Sequence, residues 1–202
     1  MLRLLLLISL TLSVAGKAWA GPLFDAASAG DINEVALLIA AGADVNAREG
    51  RDGATPLHAA ALAGQPAVVE MLIAHGADVN AHNVGGFTPL HAAAYSGSVP
   101  AAKLLLDKGA AVNEAANKFG VTPLLVAGEQ DNVAVAELLI ARGADVSARE
   151  RHGYTPLSRA FFKQHDDIVR LLKRYGATCQ GPEVIGSEIG YRQCLEGATY
   201  QP

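Results

Sequence analysis

The sequence has few aromatic residues and few charges. Phe, Trp and Tyr make up 5 % of its 202 residues and charged residues 18 %, whereas half of the chain is apolar. So large an apolar share makes wholesale disorder implausible. Scarce rings beside plentiful Ala favour close helix–helix contacts over a core of bulky aromatic side chains. The net charge of -4 argues against a general nucleic-acid binder, because phosphate binding needs clustered Lys and Arg.

Long hydrophobic runs are absent after the first twenty residues. Residues 1–20 have a positive charge near their start, an apolar stretch from Leu4 to Ala15 and small residues at their end. The stretch is shorter than the ~20 residues of a spanning helix, so a signal peptide cleaved between Ala20 and Gly21 is predicted. The remaining chain is expected in the periplasm, or secreted, without stable membrane insertion. No Asn-x-Ser/Thr sequon occurs, which favours the bacterial periplasm.

Two short motifs recur along the chain at nearly constant intervals. Thr-Pro-Leu begins at Thr55, Thr88, Thr122 and Thr155, at intervals of 33, 34 and 33 residues. A Gly-Ala motif, Gly-Ala-Asp-Val in its commonest form, begins 21 residues after each of these Thr residues. Because that distance never changes, the 21-residue part is expected to be rigid packed structure. The remainder is expected to be a loop that tolerates insertion.

The motifs carry helix-boundary signals. Thr caps a helix N-terminus and Pro suits the first helical position, while the Gly fits the left-handed position just past a helix end. Through these motifs, residues 22–180 resemble the ankyrin-repeat family, whose unit is a turn and two antiparallel helices. The resemblance implies an all-α solenoid of five helix-pair repeats with β-turn loop fingers. A domain over 21–178 is expected, with repeats at about 22–50, 51–83, 84–117, 118–150 and 151–178.

The resemblance also assigns structural roles within the repeats. In the family, a histidine bonds the turn threonine and links neighbouring repeats, which implies such roles for Thr55, His58, Thr88, His91, Thr122 and Thr155. Leu125 and Ser158 replace the histidine in repeats four and five, so weaker bonding between repeats is expected there. His75, His82, His152 and His165 are scattered and expected on the solvated surface. No metal site is predicted.

The tail over 179–202 matches no repeat and holds both cysteines. In an oxidising compartment Cys179 and Cys194 are predicted to form a disulfide that pins the tail over the exposed end of repeat five. Closing a loop of this size contributes about 3 kcal/mol in the chain-entropy model. The alternatives are two free thiols or a redox-active pair, although the spacing is not Cys-x-x-Cys and neither thiol has an activating neighbourhood in the sequence.

Partner binding is expected on the concave face that such an array forms. In ankyrin proteins the contacts come from residues just before Thr-Pro and from those after the alanine pair. This implies the contact residues Arg51, Asp52, Leu62, Val84, Phe87, Tyr95, Lys118, Phe119, Glu129, Gln130, Arg151, His152, Tyr154, Phe162 and Lys163. Buried aromatic anchors carry much of the energy of protein interfaces. The alternative is that some of these rings pack locally, Phe119 and Phe162 above all.

The predicted function is a non-catalytic protein–protein interaction module of the cell envelope. It would act as a monomer without a cofactor, and would stabilise, position or inhibit another exported protein. The alternatives are an immunity or effector protein of a secretion or toxin system, and a thiol-based redox sensor using Cys179 and Cys194. An enzyme is not expected, because the sequence has no nucleophile elbow, phosphate-binding loop or zinc motif. Ser158 and His165 share a repeat, but His165 is placed away from the concave groove.

Overall fold

The computed structural model describes residues 20–49 and 51–196, and these fold into paired helices. Within this part of the chain there are twelve helices, and the one β pairing is an isolated bridge between Glu49 and Ala54. The helices are α1 Ala20–Ala29, α2 Ile32–Ala40, α3 Pro56–Leu62, α4 Pro66–Ala74, α5 Pro89–Ser96, α6 Val99–Asp107, α7 Pro123–Glu129, α8 Val133–Ala141, α9 Pro156–Phe162, α10 Asp166–Arg174, α11 Pro182–Ile185 and α12 Glu188–Glu196. The predicted all-α class and its helix-pair architecture are confirmed.

Each helix that follows a Thr-Pro motif begins at its proline, as the local signals predict. Thr55, Thr88, Thr122 and Thr155 are the N-cap residues, with extended backbone angles, and a proline follows each. Proline costs nothing there, because the first N–H groups of a helix have no partner within the helix. The repeated motif therefore sets the start of every inner helix from repeat two to repeat five.

The helices form two layers. The first helices of successive repeats, α1, α3, α5, α7 and α9, contact one another in an inner row, and the second helices α2, α4, α6, α8 and α10 form an outer row. Leucines from both rows meet in a continuous core. The fully or almost fully buried ones are Leu57, Leu72, Leu90, Leu105, Leu124, Leu139, Leu157 and Leu172. Buried alanines of the inner helices, which add little bulk, let neighbouring backbones come close.

The four residues before each Thr-Pro form a loop, here called a finger: 51–54, 84–87, 118–121 and 151–154. Backbone hydrogen bonds link one finger to the next. The amide of Val84 donates to the carbonyl of Asp52 at 2.7 Å, and that of Arg151 donates to Phe119 at 2.7 Å. The first residues of the fingers thus stand side by side along the array.

A second set of bonds, made by asparagine side chains, links the repeats at the end of each outer helix. Asn46 donates to the carbonyl of Gly76 at 3.0 Å and accepts from the amide of Asp78 at 2.8 Å. Asn80 and Asn113 make the same pair of bonds one and two repeats later. Ser147 occupies the next equivalent position and makes no such bond. Repeat five is therefore joined to repeat four without this link.

The described tail ends in two helices that close the last repeat. A disulfide joins Cys179 to Cys194 with Cα atoms 6.0 Å apart, which confirms the predicted bond. Cys194 is completely buried and Ile185 nearly so, both within the main core cluster. Gln180 donates to the carbonyl of Gly153 at 2.6 Å and accepts from the amide of Thr155 at 3.3 Å. The tail thus bonds the last finger, which has no following finger to bond it.

The signal-peptide prediction lies almost wholly outside the described residues, which begin at Ala20 within α1. Leu23, Ala26 and Ala27 of that helix are buried against the array. Cleavage before Gly21 would therefore keep these three buried side chains in the mature chain. Among the residues that the structure describes, no helix has the length and apolar character needed to cross a membrane.

Candidate protein-binding surface

His58 and His91 each bridge two repeats. The ring nitrogen Nδ1 of His91 accepts from the amide of Thr88 at 3.1 Å, and its Nε2 lies 2.9 Å from the carbonyl oxygen of Val121 in the next repeat. His58 makes the same contacts with Thr55 and, at 3.0 Å, with Phe87. An amide can only donate, so Nδ1 must be the acceptor and Nε2 must carry the proton. Both rings are therefore held neutral and in one tautomer.

Burial of these two rings lowers their pKa values. The pKa of His91 falls from 6.5 to about 4, because desolvation outweighs the opposing effect of the bond to Val121. Burial likewise lowers the pKa of His58 against the effect of its bond to Phe87. A proton added to Nδ1 would also face the amide proton of the threonine. A ring so placed supports the backbone and is unsuited to general-base work on a bound ligand.

The histidine position is filled differently in repeats four and five. Leu125 is buried there and makes no bond to repeat five. In repeat five the Ser158 hydroxyl accepts from the amide of Thr155 at 2.8 Å, which completes a capping box within the repeat. The junction between repeats four and five thus lacks both the histidine bond and the asparagine bond.

An apolar groove of about 470 Å³ runs along the inner face of repeats one to four. Its apolar walls are formed mainly by Phe24, Leu62, Phe87, Tyr95 and Val126, with Ala59 and Ala92 between them. Leu62 and Tyr95 are 51 % and 56 % exposed, which is high for large apolar side chains in a folded chain.

Repeats four and five present a second set of rings, and these are flanked by charges. Tyr154 and Phe162 meet edge to face at 5.6 Å between ring centroids, and the guanidinium of Arg159 lies 4.9 Å from the Tyr154 ring. Phe119 is 41 % exposed, lies 6.4 Å from His152 and has Lys118 over its ring at 5.7 Å. Tyr154 and Phe162 are half-buried and pack on each other, whereas Phe119 remains open to a partner.

The sequence model of the family described as ankyrin repeats (3 copies) matches residues 23–116 and 113–181. The chain belongs to the ankyrin-repeat family. No curated protein sequence matches it. Ankyrin repeats generally serve as protein–protein interaction modules, and the grooved inner face is the surface that such an array offers.

The structure places every predicted contact residue of this ankyrin array at least partly in solvent. Arg51, Asp52, Val84, Lys118, Gln130, Arg151, His152 and Lys163 are exposed, as are Leu62, Tyr95 and Phe119, whereas Phe87, Glu129, Tyr154 and Phe162 are half-buried. Asp52, Leu62, Phe87 and Tyr95 come together in the groove. The residues of repeats four and five lie outside it.

Sequence reasoning missed several residues of the ankyrin groove. Ala59, Ala92 and Val126 occupy the fourth position after successive Thr residues, and all three line the groove. Their regular spacing of 33 and 34 residues was the signal that could have identified this row. Phe24 precedes the first Thr-Pro motif, so no repeated position pointed to it.

One of the scattered histidines, His165, was wrongly expected on the solvated surface. His165 is half-buried, and its Nδ1 lies 3.1 Å from the carbonyl oxygen of Gly128 in repeat four. His82 has 40 % of its side chain exposed, although its Nε2 lies 3.5 Å from a Glu114 carboxylate oxygen in the next repeat. Both pack against a neighbouring repeat because the ankyrin stack covers the finger bases and the starts of the outer helices.

The only nucleophile and base considered from the sequence do not form a pair. Ser158 is buried, and its hydroxyl donates to the carbonyl of Thr155 at 3.1 Å, while His165 bonds Gly128. Each group is therefore committed to the backbone of the ankyrin scaffold. Within the part of the chain that the structure describes, no three His, Cys, Asp or Glu side chains are grouped to hold a metal ion.

Proposed function

We propose that this protein is a non-catalytic interaction module of the cell envelope. It binds another exported protein through its concave face and thereby stabilises, positions or inhibits that protein. The observation that carries the proposal is the apolar groove with two large, half-exposed side chains, Leu62 and Tyr95. Exposed apolar area of this kind marks interaction sites, and aromatic residues dominate the energy of protein interfaces.

Two observations support the envelope location. The first twenty residues have the charge, length and small-residue end of a cleaved signal peptide. The chain also holds a disulfide between its only two cysteines, and such bonds persist mainly in oxidising compartments. Fractionation of the producing cells, with N-terminal sequencing of the mature protein, tests this part. A first residue of Gly21 in the envelope fraction is expected, and an uncleaved chain in the cytoplasm would contradict it.

The scaffold itself favours partner binding over catalysis. The buried polar side chains of the inner helices, His58, His91 and Ser158, are all bonded to backbone atoms. No free nucleophile or base among them faces the groove. The groove therefore offers shape and apolar contact, which are what a protein partner needs.

A capture experiment with matched variants tests the binding function. The mature chain from Gly21 serves as bait in envelope extract under non-reducing conditions, beside a Leu62→Glu/Tyr95→Glu variant. Leu37→Glu is the control, because Leu37 is 66 % exposed on α2 in the outer layer. A partner held by the unchanged chain and by the control, and lost by the groove variant, is the expected result. Equal capture by all three baits would place binding on another surface.

A further inference from the structure

Equivalent positions of the inner helices change in character along the array. The fourth residue after each Thr is Ala59, Ala92, Val126 and then Arg159, and the eighth is Ala63, Ser96, Gln130 and then Lys163. Because the repeats stack in register, each series forms a row across the concave face. The rows begin with small or apolar side chains and end with long cationic ones.

The first residues of the fingers form another row, and three of its four members are cationic. Arg51, Val84, Lys118 and Arg151 stand side by side, since backbone bonds join each finger to the next. In repeat two, Asp52 follows Arg51 directly, so this finger carries charges of both signs. In repeats four and five the neighbouring finger residues are Phe119 and His152, so the charges of Lys118 and Arg151 are not offset in this way.

Acidic side chains neutralise only part of this end of the face. Glu150 has a side chain 1 % exposed and lies 2.8 Å from Arg159, and Glu129 lies 3.8 Å from Lys163. Among the described residues, no carboxylate lies within 4.0 Å of Lys118 or Arg151. The cationic end, defined as Lys118, Arg151, Arg159 and Lys163, therefore keeps an excess of positive charge.

The rest of the molecule has the opposite sign. The whole chain has a net charge of -4, so a local positive excess at the cationic end leaves the rest of the chain with a net negative charge. The outer helices contribute a net negative charge, since they hold six acidic residues, Glu34, Glu70, Asp107, Glu137, Asp166 and Asp167, against four basic ones, Lys103, Arg170, Lys173 and Arg174. An acidic ligand is thus repelled elsewhere and attracted to one end of the concave face.

We infer that the partner contributes an extended segment with apolar side chains at one end and Asp or Glu side chains at the other. The apolar end lies in the groove of repeats one to four, and the acidic end lies over the cationic end. The inference rests on the proposed function and specifies its ligand. Five inner helices about 10 Å apart span roughly 40 Å, which an extended chain covers with about 12 residues at ~3.3 Å each.

A random library of displayed 16-residue peptides tests the inference. The library is selected against the mature protein from Gly21, disulfide intact, and each enriched peptide is then measured by fluorescence anisotropy. Enriched peptides are expected to combine large apolar residues with a run of Asp or Glu. Their affinity should fall about tenfold for Lys118→Glu/Arg151→Glu and should weaken as salt rises.

The matched control is Lys108→Glu/Arg192→Glu, which reverses two exposed cations away from the concave face and likewise leaves no broken ion pair. Its affinity for the same peptides should stay within twofold of the unchanged chain. Enriched peptides without an acidic excess, or equal affinity for the Lys118→Glu/Arg151→Glu variant, would overturn the inference alone. If no peptide is enriched but a partner is captured from extract, the partner does not bind through an extended segment. The inference is then overturned, while the proposed function stands. If no peptide is enriched and no partner is captured from extract, both the inference and the proposed function are overturned.

Discussion

The imidazole of His91 donates from Nε2 to the carbonyl oxygen of Val121, 2.9 Å away in the next repeat. Leu125, at the equivalent position one repeat later, offers no donor to the carbonyl of Tyr154. Ser147 likewise fails to continue the asparagine bonds that Asn46, Asn80 and Asn113 make. Two kinds of link that join repeats two, three and four are therefore both missing between repeats four and five.

The neutral state of His91 makes stability depend on pH. Its pKa is about 4 in the folded protein and 6.5 without burial, so between these values the unfolded chain binds the extra proton. The contribution of the neutral His91 ring to the free energy of unfolding is then fully present above pH 6.5 and is lost as pH falls toward 4. His91 alone should lower the free energy of unfolding by about 2 kcal/mol between pH 7 and pH 5, and His58 acts in the same direction.

Urea unfolding at the two pH values measures this loss. His91→Leu should lower stability at pH 7, since it removes bonds to Thr88 and Val121, and should also reduce the pH dependence. His75→Ala is the control, because His75 is exposed and its ring bonds only Met71 of the same repeat, so this change should cost little stability at pH 7. An unchanged pH dependence in His91→Leu would show that this ring does not titrate as described.

Restoring the missing asparagine should strengthen the last junction. Ser147→Asn would let the side chain donate to the carbonyl of Gly176 and accept from the amide of Thr178, as Asn113 does one repeat earlier. We expect the free energy of unfolding to rise by about 1 kcal/mol, with slower amide exchange in α9 and α10. Ser147→Asp has the same shape but lacks the donor, so it should raise the free energy of unfolding by less. Equal effects of both would contradict the bonding scheme.

The disulfide should act as a staple for the tail. Replacing both Cys179 and Cys194 with Ser should cost about 3 kcal/mol, visible as a lower melting temperature. Partner affinity at the groove should stay unchanged, because the groove is built from repeats one to four. A reductant should mimic the double variant and should have no effect on it. A change in partner affinity on reduction would support the redox-sensor alternative.

Gln164 has an unfavourable backbone conformation that a glycine should relieve. Its φ is +62°, and the equivalent residue is glycine in repeats one to three: Gly30, Gly64 and Gly97, with φ from +66° to +75°. Gln164→Gly should raise stability by about 0.5 to 1 kcal/mol, after the entropy cost of glycine is subtracted. Gln164→Ala keeps a Cβ and should not raise the stability. Chemical unfolding of the two variants measures the difference, and a gain with Ala alone would refute the explanation.

The helix starts and the bridging histidines could be predicted because they recur. Four copies of Thr-Pro-Leu place Pro56, Pro89, Pro123 and Pro156 at helix starts, and the structure has them there. The tail could not be predicted in detail. Its two helices and the Gln180 bonds to repeat five occur once, so no repeated position indicated them.

The candidate surface was predictable in outline. Its division into an apolar groove over repeats one to four and a charged part on repeats four and five was not. Leu62, Phe87 and Tyr95 were placed on the face by the family pattern, and they line the groove. Glu150 is buried, and a carboxylate is rarely buried without a partner. Its partner Arg159 lies nine residues away along the chain, and only the folded finger brings the two together. That pair places a charged side chain on the inner surface of the last repeat, where the earlier repeats have apolar ones.

Photo-crosslinking in living cells tests partner binding through the concave face. A benzophenone amino acid is placed at Tyr95 in the groove in one strain and at Leu37 in the outer layer in another. We expect a covalent adduct with an exported protein after irradiation when the probe is at Tyr95, and none when it is at Leu37. An adduct at Leu37 alone, or no adduct at either position, would contradict partner binding through the concave face.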